Sequence, residues 1–391
     1  MKKRFSVIFI LLAFIITVGC FSGFSKSKAF ADGFDYNIKS KSAYLMDAMT
    51  NTVVYKHNED EKLPIASMCK IMTLLLCFES IDRNEIKFDD AITVSETASG
   101  MGGSQVFLET NGEYLIGELI KSIVVASAND ACVAMAEHLC GSESKFVEKM
   151  NEKANELGMN NTVFVNCTGL PKVGQYSCAK DVAIMFSELL KHHDYYRFSR
   201  IWTDVVKHPN DRKTEIANTN KLIRFYEGCD SGKTGYTSEA GHCLAASAFR
   251  GGTRLISVII SAPDSKTRFR EVSSMFNYGF ANYANKMIVD DKLPLDIKAT
   301  IIGGKKDSLE VIAEKPYFIF SSKNEKRDFE INFEPIEVVK APISKGEIVG
   351  KLYIYENNVE IAVINVLANE DINSKTYFDT ILDIGKNWAI I

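Results

Sequence analysis

The sequence predicts an α+β, or mixed α/β, domain followed by a small all-β, sandwich-like domain. Three observations carry this. Extended segments open the chain after residue 38, helical patterns fill the middle, and strands return at residues 242 to 262, so both ends supply one sheet with helices between. After a helical pattern ending near Lys286, the chain changes to short alternating segments between turn signals.

Residues 1 to 31 read as a signal peptide, which predicts export across the membrane. Lys2, Lys3 and Arg4 precede an apolar run from Phe5 to about Phe21, and Ala29 and Ala31 suit cleavage after Ala31. The run is short for a membrane span. Cys20 stands where a lipoprotein cysteine would, but Thr17 replaces the aliphatic residue such signals carry. Removing Lys2, Lys3, Arg4, Lys26 and Lys28 takes five positive charges from a net charge of −4, leaving −9, which argues against nucleic acid as a partner.

Of nine cysteines, Cys69, Cys77, Cys132, Cys140, Cys167, Cys178, Cys229 and Cys243 lie beyond this segment. No Cys-x-x-Cys pair and no His-rich tract exists, so no metal site is expected. Apolar surroundings such as Leu74-Leu75-Leu76 before Cys77 suit free thiols acting as small hydrophobes, with disulfides left open.

Ala43 to Met46 and Thr52 to Tyr55, around the turn residues 47 to 51, read as a hairpin. From Ser67 to Phe78 apolar residues fall on all sides, as in a helix buried within a domain. Further helical patterns run from Ile116 to Cys140, Ser144 to Leu157 and Ala179 to Lys191. His242 to Phe249 and Leu255 to Ser261 are strands joined through Arg250-Gly251-Gly252-Thr253. The first domain is placed at 32 to 286 and the β domain at 287 to 372, with Lys351–Tyr355 and Val359–Val366 as a hairpin. In the tail, 373 to 391, Tyr377, Phe378, Ile381, Leu382, Trp388 and Ile391 recur at roughly helical spacing. Such a helix would either lie on a membrane surface or dock on the β domain.

Ser67-Met68-Cys69-Lys70 puts a hydroxyl and an amine on one helix face, within one turn. The spacing alone is weak, since Ser25/Lys28, Ser142/Lys145 and Ser177/Lys180 repeat it. What distinguishes Ser67 is its place after Pro64 at the start of the buried helix, where a backbone N–H and the positive helix end stabilise an oxyanion. Ser127-Ala128-Asn129 follows 60 residues on, and Lys233-Thr234-Gly235 leads into the late strands. A glycine on an edge strand admits a substrate backbone, and the lysine adds fixed positive charge. Three such motifs in this order mark penicillin-interacting serine acyl-transfer enzymes.

On these motifs, residues 32 to about 285 resemble the catalytic domain of the low-molecular-mass penicillin-binding proteins, D-alanyl-D-alanine carboxypeptidases of the penicillin-binding protein 5 type. Four segments share the likeness: Ala98 to Ser104, Ser127 to Ala131, Asn166 to Pro171 and Gly241 to Ala248. Lys340 to Gly346 resembles the family's second domain. The resemblance implies a β-lactamase/transpeptidase-like fold and removal of the terminal D-alanine from peptidoglycan stem peptides. It also implies inhibition by β-lactams and no cofactor. Ser67 would be the nucleophile and Lys70 its base, with an amine lowered by burial and by a positive charge such as Lys233. Ser127 would relay the proton, Asn129 would hold the substrate peptide, and the N–H groups of Ser67 and Tyr236 would bind the oxyanion. Thr234, Gly235 and Tyr236 would line the substrate strand, with Arg268 and Thr234 on its carboxylate. An alternative reading of Arg268 is a solvated helix-surface residue.

Two rivals remain. A class A β-lactamase would need a loop glutamate, and none occurs between Glu156 and Glu188. A catalytically silent, penicillin-recognising wall-binding protein would not require Ser67, Lys70 and Lys233 together.

Overall fold

The computed structural model describes residues 37–336 and 338–388; the expected signal peptide, with Cys20, lies outside the described residues. The chain begins with strands β1 (Ser42–Asp47) and β2 (Val53–His57), the expected hairpin. Helices α1 (Lys70–Asp82), α2 (Ile116–Ala126), α3 (Asn129–Cys140), α4 (Glu143–Glu156) and α5 (Ala179–Leu189) follow. Strands β3 (Cys229–Thr237), β4 (Gly241–Arg250) and β5 (Thr253–Ala262) complete an antiparallel sheet of order β2-β1-β5-β4-β3. Helix α6 (Ser265–Asn282) then crosses back over it.

Side chains alternate across a strand, and both faces of this sheet are covered. Tyr44, Met46, Cys243, Ala245, Ile256, Val258 and Ile260 join the core formed with α1 to α5. Ala43, Leu45, Leu244, Ala246, Leu255 and Ile259 pack instead with Val272, Met275 and Phe276 of α6. This double burial is why Leu255, Ile256, Val258, Ile259 and Ile260 of β5 are apolar on both faces. Only β2 and β3 are edges, and β3 carries Lys233-Thr234-Gly235.

Two helical expectations change. The pattern from Ile116 to Cys140 is two helices, broken at Ser127, which takes a left-handed φ of 62°. Apolar periodicity runs through the break because both helices bury the same side, so the pattern alone does not mark it. Helix α6 stops at Asn282, short of Lys286, and strand β6 (Tyr283–Val289) leads on. Asn285 ties that strand to the first domain, donating from Nδ2 to Asp47 (2.7 Å) and from its backbone to Thr253 Oγ1 (2.9 Å).

The second domain holds strands β7 (Lys298–Ile302), β8 (Ser308–Ala313), β9 (Tyr317–Ser322), β10 (Phe329–Pro335), β11 (Val339–Lys340), β12 (Ile348–Glu356) and β13 (Val359–Ala368). Six form a sheet of order β10-β12-β13-β8-β7-β11, and β6 pairs with β9. The β12–β13 hairpin turns on Asn357 and Asn358, with φ of 50° and 63°, the backbone a two-residue hairpin loop needs. Leu309, Val311, Val349, Leu352, Ile354 and Val366 fill the core.

Helix α7 (Tyr377–Trp388) closes the described chain. Tyr377, Phe378, Ile381 and Leu382 are 79%, 77%, 47% and 62% exposed, so these side chains are not docked on the β domain. No helix among the described residues is long and apolar enough to cross a membrane.

Phe276 is fully buried between α6 and the sheet. Phe276→Ala should destabilise the catalytic domain by about 3–5 kcal/mol, read as a lower midpoint in chemical denaturation.

Candidate active site

The three sequence motifs meet where α1, the α2–α3 junction and edge strand β3 converge. Ser67 lies in a 3-10 turn, Ala66–Cys69, that runs into α1. Ala66 enters it with φ of 47°, a left-handed conformation costing a residue with a Cβ roughly 1–2 kcal/mol. The turn is held by glycines on both sides. A Cβ on Gly235 would sit 2.6 Å from the Ile65 carbonyl and 3.1 Å from the Ser67 nitrogen; one on Gly169, itself at φ 79°, would overlap the Ala66 carbonyl. Neither position can carry a larger residue without moving the serine.

Lys70 Nζ donates to Ser67 Oγ at 3.0 Å and to the Thr168 carbonyl. Lys233 Nζ donates to Ser127 Oγ at 2.7 Å and to the Thr234 carbonyl at 3.2 Å. Both lysines are essentially inaccessible, at 0% and 1%, and every acceptor they use is uncharged. Burial pushes both amines down. Lys233 goes well below its ordinary value, helped by the charges of Lys70 and Arg268. Burial is the leading cause for both amines, and the repulsion between them, which is mutual, disfavours charging the pair together.

Asn129 starts α3 and donates to the Gly102 carbonyl at 2.7 Å, while its Oδ1 is buried without a protein partner. The left-handed Ser127 before it turns its hydroxyl toward β3. On β3, Gly235 faces the nucleophile turn and Thr234 is buried on the opposite side, while Tyr236 is exposed and stacks on His242 at 4.4 Å.

A family model described as D-alanyl-D-alanine carboxypeptidase matches residues 26–264, and one for the penicillin-binding protein 5 C-terminal domain matches residues 284–374. The chain belongs to the peptidase S11 family of D-alanyl-D-alanine carboxypeptidases. The D-alanyl-D-alanine carboxypeptidase DacF of Bacillus subtilis is 41% identical over 345 residues, 88% of each chain. DacA of Haemophilus influenzae is 29% identical over 90% of this chain and 89% of its own. The crystal structure of penicillin-binding protein 5 from Haemophilus influenzae superposes with a TM-score of 0.68 at 29% identity, covering 87% of this chain and 99% of that one. The fold is accordingly a transpeptidase-like α/β catalytic domain with a β-rich second domain, and the chain is a serine-type D-Ala-D-Ala carboxypeptidase. The family acts on D-Ala-D-Ala peptides and binds penicillins.

Among the other Ser-x-x-Lys copies, Ser142 caps α4 by accepting from the Lys145 N–H, and Ser177 is buried against Thr162. Both are structural. Arg268, on α6, is only 8% exposed rather than solvated. Its Nη1 donates to the carbonyls of Gly235 (3.2 Å) and Cys243 (3.1 Å), on the edge strand and its neighbour. No bond to Thr234 is made, and Arg268 Nε is buried without a protein partner. Burial lowers its guanidinium to about 10.

Sequence reasoning assigned no role to Thr168, whose carbonyl binds Lys70. Nor did it use Asp130, whose buried carboxylate accepts from the N–H groups of Val106, Leu108 and Ala131 and so holds the segment 106–108, which follows the Gly102 and Ser104 carbonyls bound by Asn129. A backbone acceptor leaves no mark in residue identity; Asp130, inside the second motif, was within reach. All eight described cysteines are free, and among the described residues no cluster could hold a metal.

Lys233→Met should abolish activity yet raise Tm. The native amine has its pKa lowered on folding, so the unfolded chain binds the extra proton, and stability rises with pH up to the unfolded value of roughly 10.4. The Tm advantage of Lys233→Met should therefore be largest at neutral pH and shrink toward pH ~10, which thermal melts across pH would check.

Proposed function

We propose that Ser67 is the nucleophile that removes the terminal D-alanine from peptidoglycan stem peptides, with Lys70 as its base. The observation that carries this is the 3.0 Å bond between Ser67 Oγ and a fully buried Lys70 amine whose other acceptor is a neutral carbonyl. A base must be unprotonated to act, and burial drives the amine that way.

Lys70 accepts the Ser67 proton as Oγ bonds to the carbonyl carbon between the two D-alanines. The N–H groups of Ser67 and Tyr236 hold the oxyanion, each donor contributing roughly 3 kcal/mol. The C–N bond then breaks, Ser127 passing a proton to the departing amine with Lys233 on its oxygen. Asn129 Oδ1 accepts from the substrate peptide, which matches its lack of a protein partner. The terminal carboxylate sits at Thr234, near the positive charge of Arg268. Water hydrolyses the acyl-serine. Penicillins acylate the same oxygen.

The same reading places the enzyme outside the cytoplasmic membrane, exported through residues 1–31. The exposed Tyr377, Phe378, Ile381 and Leu382 of α7 support contact with the membrane surface, a favourable use for apolar side chains that nothing covers.

Incubated with a peptide ending in D-Ala-D-Ala, the enzyme should release D-alanine detectable by mass, and Ser67→Ala should lower kcat by at least about 10³-fold. Unchanged release by Ser67→Ala would remove Ser67 from the chemistry.

The kcat/KM profile should rise with pH as the Lys70 amine loses its proton, with its midpoint below the ordinary lysine value of roughly 10.4. A midpoint at or above that value would exclude Lys70 as the base.

A further inference from the structure

The pocket beside the nucleophile turn holds two opposite charges with no assigned task. It is lined by Pro64, Ile65, Ala66, Gly169, Leu170, Pro171, Lys172 and Gln175 on one side, and by Thr237 and Glu239 on the other. Lys172 and Glu239 are exposed, and neither forms an ion pair or side-chain hydrogen bond with any described residue.

The direction of a bound peptide follows from the proposed reaction, on which this inference rests. If the scissile carbonyl is at the Tyr236 N–H and the terminal carboxylate is at Thr234, the peptide runs antiparallel to β3. Its residue before the penultimate D-alanine must then pass Thr237, since one strand residue advances roughly 3.3 Å. That is where the pocket opens.

The walls are built rather than loose. Asn166 Oδ1 accepts from the N–H groups of Thr168 (3.2 Å) and Gly169 (2.7 Å), and its Nδ2 donates to the Leu170 carbonyl at 2.9 Å. Gln175 Oε1 accepts from the N–H groups of Val165 and Asn166, both at 3.0 Å. This loop is the one whose Thr168 carbonyl binds Lys70, so the wall bearing Lys172 is fixed relative to the catalytic amine. Opposite it, the turn bearing Glu239 is pinned by the Ala240 N–H on Thr237 Oγ1 (3.0 Å) and by Ser261 Oγ on the Ala240 carbonyl (2.7 Å).

We propose that Glu239 and Lys172 form a specificity subsite for a substrate side chain ending in an amino-acid zwitterion, on the residue before the penultimate D-alanine. Glu239 takes the ammonium and Lys172 the carboxylate. A cation alone would leave Lys172 opposing it, and an anion alone would meet Glu239; a zwitterion satisfies both.

The test compares peptides X-D-Ala-D-Ala in which X is meso-diaminopimelate, free, N-acetylated or amidated at its distal end. Wild type should favour the free form over each blocked form by about 2–5-fold in kcat/KM, roughly what one exposed charge contact contributes. Glu239→Gln should erase the discrimination against acetylation, and Lys172→Met that against amidation. A discrimination ratio that Glu239→Gln leaves unchanged, or no discrimination by wild type, overturns the subsite. The same ratio is read from acylation rates of a penicillin whose side chain ends in a free or an N-acetylated amino acid. Loss of D-alanine release with the penicillin ratio intact would therefore strike the hydrolytic reading and leave the subsite supported.

Discussion

Two lysine amines are enclosed at the centre of this domain with only neutral oxygens to bind, and the chemistry depends on that enclosure. Transferring an ammonium from water to a buried site costs several kcal/mol unless a counter-ion accompanies it. Here Lys70 bonds to a hydroxyl and a carbonyl, as does Lys233, and neither bonds to a carboxylate. Asp130, the buried acid nearby, spends its oxygens on backbone N–H groups instead. The same low-polarity surroundings act in opposite senses on acids and bases. They lower the amines and raise the thiols: Cys132 is pushed up to about 12, and Cys69, next to Ser67 along the helix, goes higher still. Cys69 also points away, donating to the Asn166 carbonyl. One environment thus disfavours the charged form of the Lys70 amine and of the thiols nearest Ser67 alike.

Such an enclosure needs backbone brought closer than side chains allow. Gly169 and Gly235 let a loop and a strand press on the nucleophile turn from two directions, and Ala66 holds a left-handed backbone between them. A second left-handed residue, Ser127, aims the other hydroxyl. Local strain of this kind, roughly 1–3 kcal/mol per residue, persists only where surrounding packing dictates it. The packing is available: Met68, Ile71, Met72, Leu74, Leu75 and Phe78 around the same turn and helix are all buried.

What sequence could reveal follows from which interactions leave a chemical signature. The two-sided burial of the sheet appears as apolar residues at successive positions, such as Ala43 to Met46 and Val258 to Ile260, and the hairpins appear through Asn357-Asn358 and Gly251-Gly252. The motif residues were legible by type and order, because hydroxyl, amine and glycine each do something few other residues can. The split between α2 and α3 was hidden, since apolar periodicity continues across Ser127. Thr168 was hidden because a carbonyl is common to all residues. Arg268 was ambiguous for a different reason: an arginine on a helix is usually solvated, and only the packing of α6 on β5 and β4 buries it against two strand carbonyls.

Edge strand β3 links enclosure to substrate. Its inner partner is β4, and its other side carries no strand among those described, although an unpaired edge invites association with other chains. Here the edge is interrupted by function: Lys233 and Gly235 turn inward to the nucleophile, Tyr236 stands exposed, and the strand ends at a turn displaying Glu239. A peptide that adds to this edge gains backbone hydrogen bonds whatever its sequence, so discrimination has to come from its two ends. Buried Arg268 donates to the Gly235 and Cys243 carbonyls beneath β3, and the loop whose Thr168 carbonyl binds Lys70 forms a wall at the Thr237 end. The backbone that receives the Lys70 amine is thus continuous with a wall of the adjoining pocket.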